Sequence, residues 1–94
     1  MNVVKKYVLS TENELTELSI ARDARIFSAC VMHEDLYLFV EANVNENVIK
    51  VPQRTVEIAV FKDGRYFHID DYTFLATVVL NYGNDIYHVF YRNM

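Results

Sequence analysis

The chain has 94 residues, 52% of them apolar and 14% aromatic, with two glycines, one proline and no tryptophan. That length suits a single domain over residues 1–94, and the composition argues against disorder, which goes with few aromatic and β-branched residues. The net charge of −4 argues against a broad nucleic-acid footprint, which needs clustered Lys and Arg. Only Lys5 and Lys6 adjoin, too few for a polybasic membrane patch.

Residues 3–9 read as a first strand, with Lys5 and Lys6 where an edge strand carries lysines to discourage further pairing. Residues 10–17 are polar. Thr11, Glu12, Asn13 and Glu14 fit a capping box opening one helical turn, or a hairpin loop. The alternation of Leu18 and Ile20 with Glu17 and Ser19 favours the hairpin, with a strand over 15–20. Arg22, Asp23 and Ala24 make a corner. Strands are then predicted at 25–33 and 36–42, joined across Glu34-Asp35 as a hairpin that lacks the usual Asn-Gly or Asp-Gly. Residues 43–53 hold three asparagines and Pro52 and form the longest irregular stretch, with Val44, Val48, Ile49 and Val51 expected to pack on the body. A strand follows at 54–61. Asp63-Gly64 supplies the positive φ of a tight turn, after which 66–69 is expected to pair back. Asp70-Asp71 breaks the chain again, and 73–82 with 85–92 form a last hairpin around Gly83-Asn84. No stretch supports a long amphipathic helix. The expected fold is all-β: a small antiparallel sandwich or partly open barrel of about seven or eight strands built from hairpins.

Four segments carry no charge: 26–32, 36–40, 74–82 and 86–91. With period two, both faces of such strands are apolar. Ile26, Ser28, Cys30 and Met32 fall on one face, with Phe27, Ala29 and Val31 opposite. In the last strand Ile86, His88 and Phe90 oppose Tyr87, Val89 and Tyr91. A lone antiparallel sheet has one wet face, so the second face needs a cover: another sheet of the chain, a second copy in a homodimer, or a partner protein. Tyrosine is concentrated in the last third and offers large area with a polar tip, which suits interfaces; it is also simply a good strand residue. The candidate partner-binding residues are Tyr37, Phe39, Tyr66, Tyr72, Tyr82, Tyr87, His88 and Tyr91.

Little in the sequence carries chemistry. Cys30 with His33, His68 and His88 matches no zinc spacing, and Cys30 and His33 fall on opposite faces of one strand. His68 and Asp70 share a face as a possible acid–base pair, but no nucleophile stands in a recognisable context. The acidic turns, Asp63, Asp70, Asp71 and Asp85, lack calcium-loop spacing. Two glycines leave no room for a phosphate-cradling loop. No catalytic residue, metal site or cofactor is expected, and the protein reads as a non-enzyme. One cysteine permits no internal disulfide, and the N-terminus lacks the apolar core of a signal peptide; both suit a reducing cytoplasm.

Several short stretches resemble a family of small, uncharacterised, phage-encoded β-proteins: residues 6–9 (Lys-Tyr-Val-Leu), 24–28 (Ala-Arg-Ile-Phe-Ser), 36–41, 54–58 and 72–77, and the closing Tyr87-His88-Val89-Phe90. The chain departs from that family at Arg22-Asp23, where a Pro and Gly are usual, at Tyr37 or Phe39, where a Trp is usual, and at Ala59-Val60, in place of Thr-Gly. The resemblance implies an all-β fold in a phage setting, and His88 as a family position of unassigned role. The function expected is a non-enzymatic protein that binds a host protein in the host cytoplasm, inhibiting or modulating it, for example in defence or transcription. The alternatives are a self-associating virion or assembly component, and a module that sequesters a small ligand in a pocket lined by Tyr66, Phe67 and Tyr72. Neither nucleic acid, membrane nor metal is expected as a partner.

Overall fold

The computed structural model describes residues 1–43 and 51–94. Seven strands follow in order: β1 (Asn2–Leu9), β2 (Leu15–Ala21), β3 (Arg25–Met32), β4 (Asp35–Asn43), β5 (Gln53–Lys62), β6 (Thr73–Leu80) and β7 (Asp85–Asn93). All pairs are antiparallel. They build a three-stranded sheet, β1-β4-β3, and a four-stranded sheet, β2-β5-β7-β6. No helix occurs among the described residues, and the sheets do not close into a barrel.

Period-two alternation builds the core. On β4, Leu36, Leu38 and Val40 are buried while Tyr37 and Phe39 between them reach the other face. On β5, Val56, Ile58 and Val60 do the same, and on β7 it is Val89. With Leu9, Ile20, Ile26, Ala29, Val78 and Leu80 they form one apolar layer shared by both sheets. The molecule is 18 Å through its shortest axis, as two sheets packed about 10 Å apart require. Arg54 fastens the corner between β2 and β3: its Nε donates to the Arg22 carbonyl at 3.0 Å and its Nη2 to the Ala24 carbonyl at 2.7 Å. Those donors satisfy turn carbonyls beside the core, where an unpaired one is costly.

The sandwich matches the sequence expectation, with four local differences. First, β1 and β2 are not a hairpin. Ser10–Glu14 crosses from one sheet to the other, so Leu9 and Ile20 meet through the core instead of side by side. β1 does lie at a sheet edge. Second, residues 66–69 do not pair back. Asp63-Gly64 turns as expected, with Gly64 at φ 88°, but β7 holds the place beside β5, and burying Phe67 on the sheet replaces the ladder. Third, a bulge at Phe27 interrupts β3, because Ile26 pairs with Val40 and Ser28 with Phe39. The extra residue reverses the alternation, so Ile26 shares the inward face with Ala29 and Val31, and Ser28, Cys30 and Met32 turn outward. Fourth, β3 and β4 are joined through His33 and Glu34, both at positive φ, one residue earlier than the break at Glu34-Asp35. The packing expected of Val44, Val48 and Ile49 lies outside the described residues, and Val51, two residues before β5, is exposed.

Candidate functional site

The two outer faces differ. On the four-stranded sheet, Ala59 and Phe61 of β5 and Phe90 of β7 point away from the core yet are buried. The cover is the chain itself. Residues 65–72 fold back over this face, stacking Phe67 on Phe61 at 4.3 Å between ring centres, with Tyr72 edge-on to Phe61 at 6.2 Å and Phe74 edge-on to Phe90 at 5.5 Å. Such pairs add to the area they bury because ring edges meet ring faces.

Beside these rings β5 carries one charge into the face. Glu57 is only 6% exposed, and it is not left alone. Tyr72 donates its hydroxyl to the carboxylate, and Arg92 of β7 lies 3.0 Å from it and spreads over the Tyr72 ring at 4.7 Å. The Tyr72 hydroxyl, with Arg92 behind it, holds the Glu57 carboxyl below its ordinary range. Burial, reinforced by Glu57, pushes the Tyr72 phenol up. Carboxylate and phenol thus each keep the form the bond requires.

An open cavity of 610 Å³ forms above this group, between the fold-back and the start of β2. Its walls include Phe61, Tyr66, Phe67, Tyr72, Arg65 and Arg92. Arg65 is held by Glu14, Nε to Oε1 at 2.8 Å. Its walls combine aromatic rings with two guanidiniums already paired to carboxylates, and its lining offers no serine, threonine or cysteine nucleophile. A second cavity, of 290 Å³, lies between the sheets beside Lys5, Tyr7 and Ile20.

The outer face of the three-stranded sheet is different in kind. Val8 is 69% exposed and Phe27 55%, and Val4 and Met32 are exposed too. Between them Cys30, Tyr37 and Phe39 are half-buried. Lys6 sits over the Tyr37 ring at 4.8 Å, and Arg25 pairs with Glu41 at 3.2 Å. Among the described residues nothing of the chain folds over this face.

The predicted partner-binding residues do not converge. Tyr37 and Phe39 share the open face, whereas Tyr66 and Tyr72 share the cavity. Tyr82 stands exposed at the tip of the β6–β7 turn, at φ 55°. Tyr87 and Tyr91 point inward and pack against the core. His88 lies outward on β7, its Nε2 2.8 Å from Asp63 Oδ1 and its Nδ1 2.9 Å from the Thr77 hydroxyl. With the carboxylate accepting from Nε2–H, the neutral ring accepts from Thr77. That chain has the order of an acid–base relay, but it runs across an open strand surface and borders neither cavity. His68 lines the larger cavity, and its partnership with Asp70 does not form. The residues that sequence reasoning passed over are Glu57, Arg92, Arg65 and Glu14. The available signal was Glu57, a single charge between Val56 and Ile58 in a strand apolar on both faces.

Neither the curated proteins nor the solved structures hold a match to the chain. One family matches it over residues 1–94, and the chain belongs to that family, described as a domain of unknown function (DUF7352).

Proposed function

We propose that the protein is a non-enzymatic binding module of phage type that engages a host protein in the host cytoplasm and inhibits or redirects it. The observation that carries this reading is the open face of the three-stranded sheet, where Val4, Val8, Phe27 and Met32 stand exposed around Tyr37 and Phe39. An exposed apolar patch rimmed by charges such as Lys6, Arg25 and Glu41 is how soluble proteins mark an interaction site, and a central aromatic cluster is what such sites use for affinity. The phage setting rests on the sequence resemblance, and the non-enzymatic reading on the lack of a recognisable catalytic motif in the sequence; His68 and Glu14 border the larger cavity, but no serine, threonine or cysteine lines it. The test is affinity capture from bacterial lysate with wild type and a folded Val8→Asp/Phe27→Asp variant. A single stoichiometric host protein retained by wild type and lost with the variant supports the proposal. Equal retention by both refutes this face as the site.

The 610 Å³ cavity with Phe67 and Tyr72 in its walls favours a second reading, the sequestering of a small planar ligand. Native mass spectrometry of freshly purified protein and a thermal-shift screen test it; absence of both a bound mass and any shift counts against it.

A further inference from the structure

The free edges of the two sheets are guarded differently. β1 ends the three-stranded sheet with Lys5 and Lys6 at its middle, so antiparallel pairing with its own copy over its full length sets Lys5 against Lys6. Like charges directly opposite destabilise a ladder. β2, the edge of the four-stranded sheet, carries a single charge, Glu17, over Leu15–Ala21. Among the described residues it pairs only with β5.

The orientation of its backbone follows from two bonds at its ends. Val60 N–H donates to the Glu14 carbonyl, and Arg22 N–H to the Pro52 carbonyl. In the β2–β5 register, Leu15 with Ala59 through Ala21 with Gln53, these bonds make the even-numbered residues of β2 the ones that bond to β5. The odd-numbered ones, Leu15, Glu17, Ser19 and Ala21, therefore turn their N–H and C=O groups to the free edge. Apolar surface is uncovered beside them, with Leu15 exposed and Leu18 only half-buried.

We propose that this edge pairs with the β2 of a second copy, antiparallel, about a twofold axis at Leu18, joining two four-stranded sheets into one of eight. In that register Leu18 faces its own copy, Thr16 faces Ile20, Leu15 faces Ala21 and Glu17 faces Ser19. All seven residues pair, the outward-turned odd residues meet one another as bonded pairs, and no charge lies directly opposite a like charge. Shifting by one residue toward the N-terminus puts Glu17 against Glu17. Rotation about this axis keeps the inner faces on the same side, so Thr16, Leu18 and Ile20 of both copies extend a common apolar layer. The association uses an edge and leaves the outer face of the three-stranded sheet free, so it stands independently of the host-binding proposal.

Ser19 tests the register because its side chain lies on the solvated face opposite the partner's Glu17. Ser19→Lys makes two opposite-charge cross-strand pairs per dimer and Ser19→Glu two like-charge pairs. The ladder is shorter than a standard interface, so sedimentation equilibrium runs from about 10 µM to about 1 mM full-length protein, spanning weak to moderate affinities. The expected result is a monomer–dimer equilibrium whose Kd falls with Ser19→Lys and rises with Ser19→Glu, each by roughly 2- to 30-fold from cross-strand pair strengths, with circular dichroism showing all three proteins folded. A monomer throughout the range overturns the proposal. So does a dimer whose Kd ignores both substitutions, and loss of that dimer in Val8→Asp would assign association to the open face.

Discussion

Replacing Tyr72 by Phe isolates one hydrogen bond. The ring stays, and with it the edge contacts to Phe61, Phe67 and Phe90 at 6.2, 6.4 and 6.2 Å. The hydroxyl that Tyr72 donates to Glu57 is lost. A hydrogen bond to a charged group contributes about 1.5–3 kcal/mol. Arg92 remains 3.0 Å from the carboxylate, so the charge is not abandoned and the lower part of that range applies, about 1.5–2 kcal/mol. For a domain of this size that lowers Tm by roughly 6–16 °C. Thermal and urea denaturation followed by circular dichroism at pH 7 read it, with Tyr82→Phe at the exposed turn as a control expected within about 0.5 kcal/mol of wild type.

The acid limb adds a sign. The folded Glu57 carboxyl lies below its ordinary value of 4.5, chiefly through Tyr72. Its contribution is therefore complete above about pH 4.5 and lost as pH falls through the folded pKa. Tyr72→Phe makes that acid loss shallower. The raised Tyr72 phenol works the other way: its contribution is complete below about pH 10 and lost as pH climbs through the folded value. A variant that melts with wild type, and whose stability falls as steeply in acid, would refute this account of Glu57.

The remaining predictions concern the core and one turn. Leu38→Ala removes a side chain with no exposed surface at the centre of β4 and is expected to cost about 2–5 kcal/mol by urea denaturation, whereas Val8→Ala on the open face stays within about 0.5 kcal/mol. Gly64→Ala meets no neighbour within 4 Å, but Gly64 holds φ at +88°, so the cost is conformational, about 1–2 kcal/mol, and appears as a lower urea midpoint with an unchanged slope.

How much was legible depended on whether the signal was local. The β3–β4 hairpin is visible as two apolar runs around a short polar break, and it forms even though His33 and Glu34, not Asn-Gly, adopt the positive φ. The two faces of β7 follow from period two alone, with Val89 in the core and Phe90 outside. The bulge at Phe27 is a different matter. One extra residue changes no composition, yet it carries Ser28, Cys30 and Met32 to the outer face. Residues 66–69 look like a returning strand, and only the competing claim of β7 on β5 displaces them. In the site, Tyr66, Phe67 and Tyr72 stand close in sequence and share a cavity. Glu14 and Arg65 meet through 51 residues of separation, which no local pattern encodes.

The strand order sets a schedule for folding as well as a shape. Only β3–β4 and β6–β7 join neighbours in sequence; β1 waits for β4, β2 for β5, and β5 for β7, the last strand of the chain. Closing such long loops before any contact stabilises them slows folding. On the ribosome β1 and β2 emerge before the partners they pair with, and β5 is completed as a sheet member only once β7 has emerged. There Met94 N–H closes onto the Thr55 carbonyl. A nascent chain arrested before β7 would hold Val56, Ile58 and Val60 in a strand open on one side, a state prone to association. Lys5 and Lys6 make the exposed edge of β1 a poor template while it waits for β4.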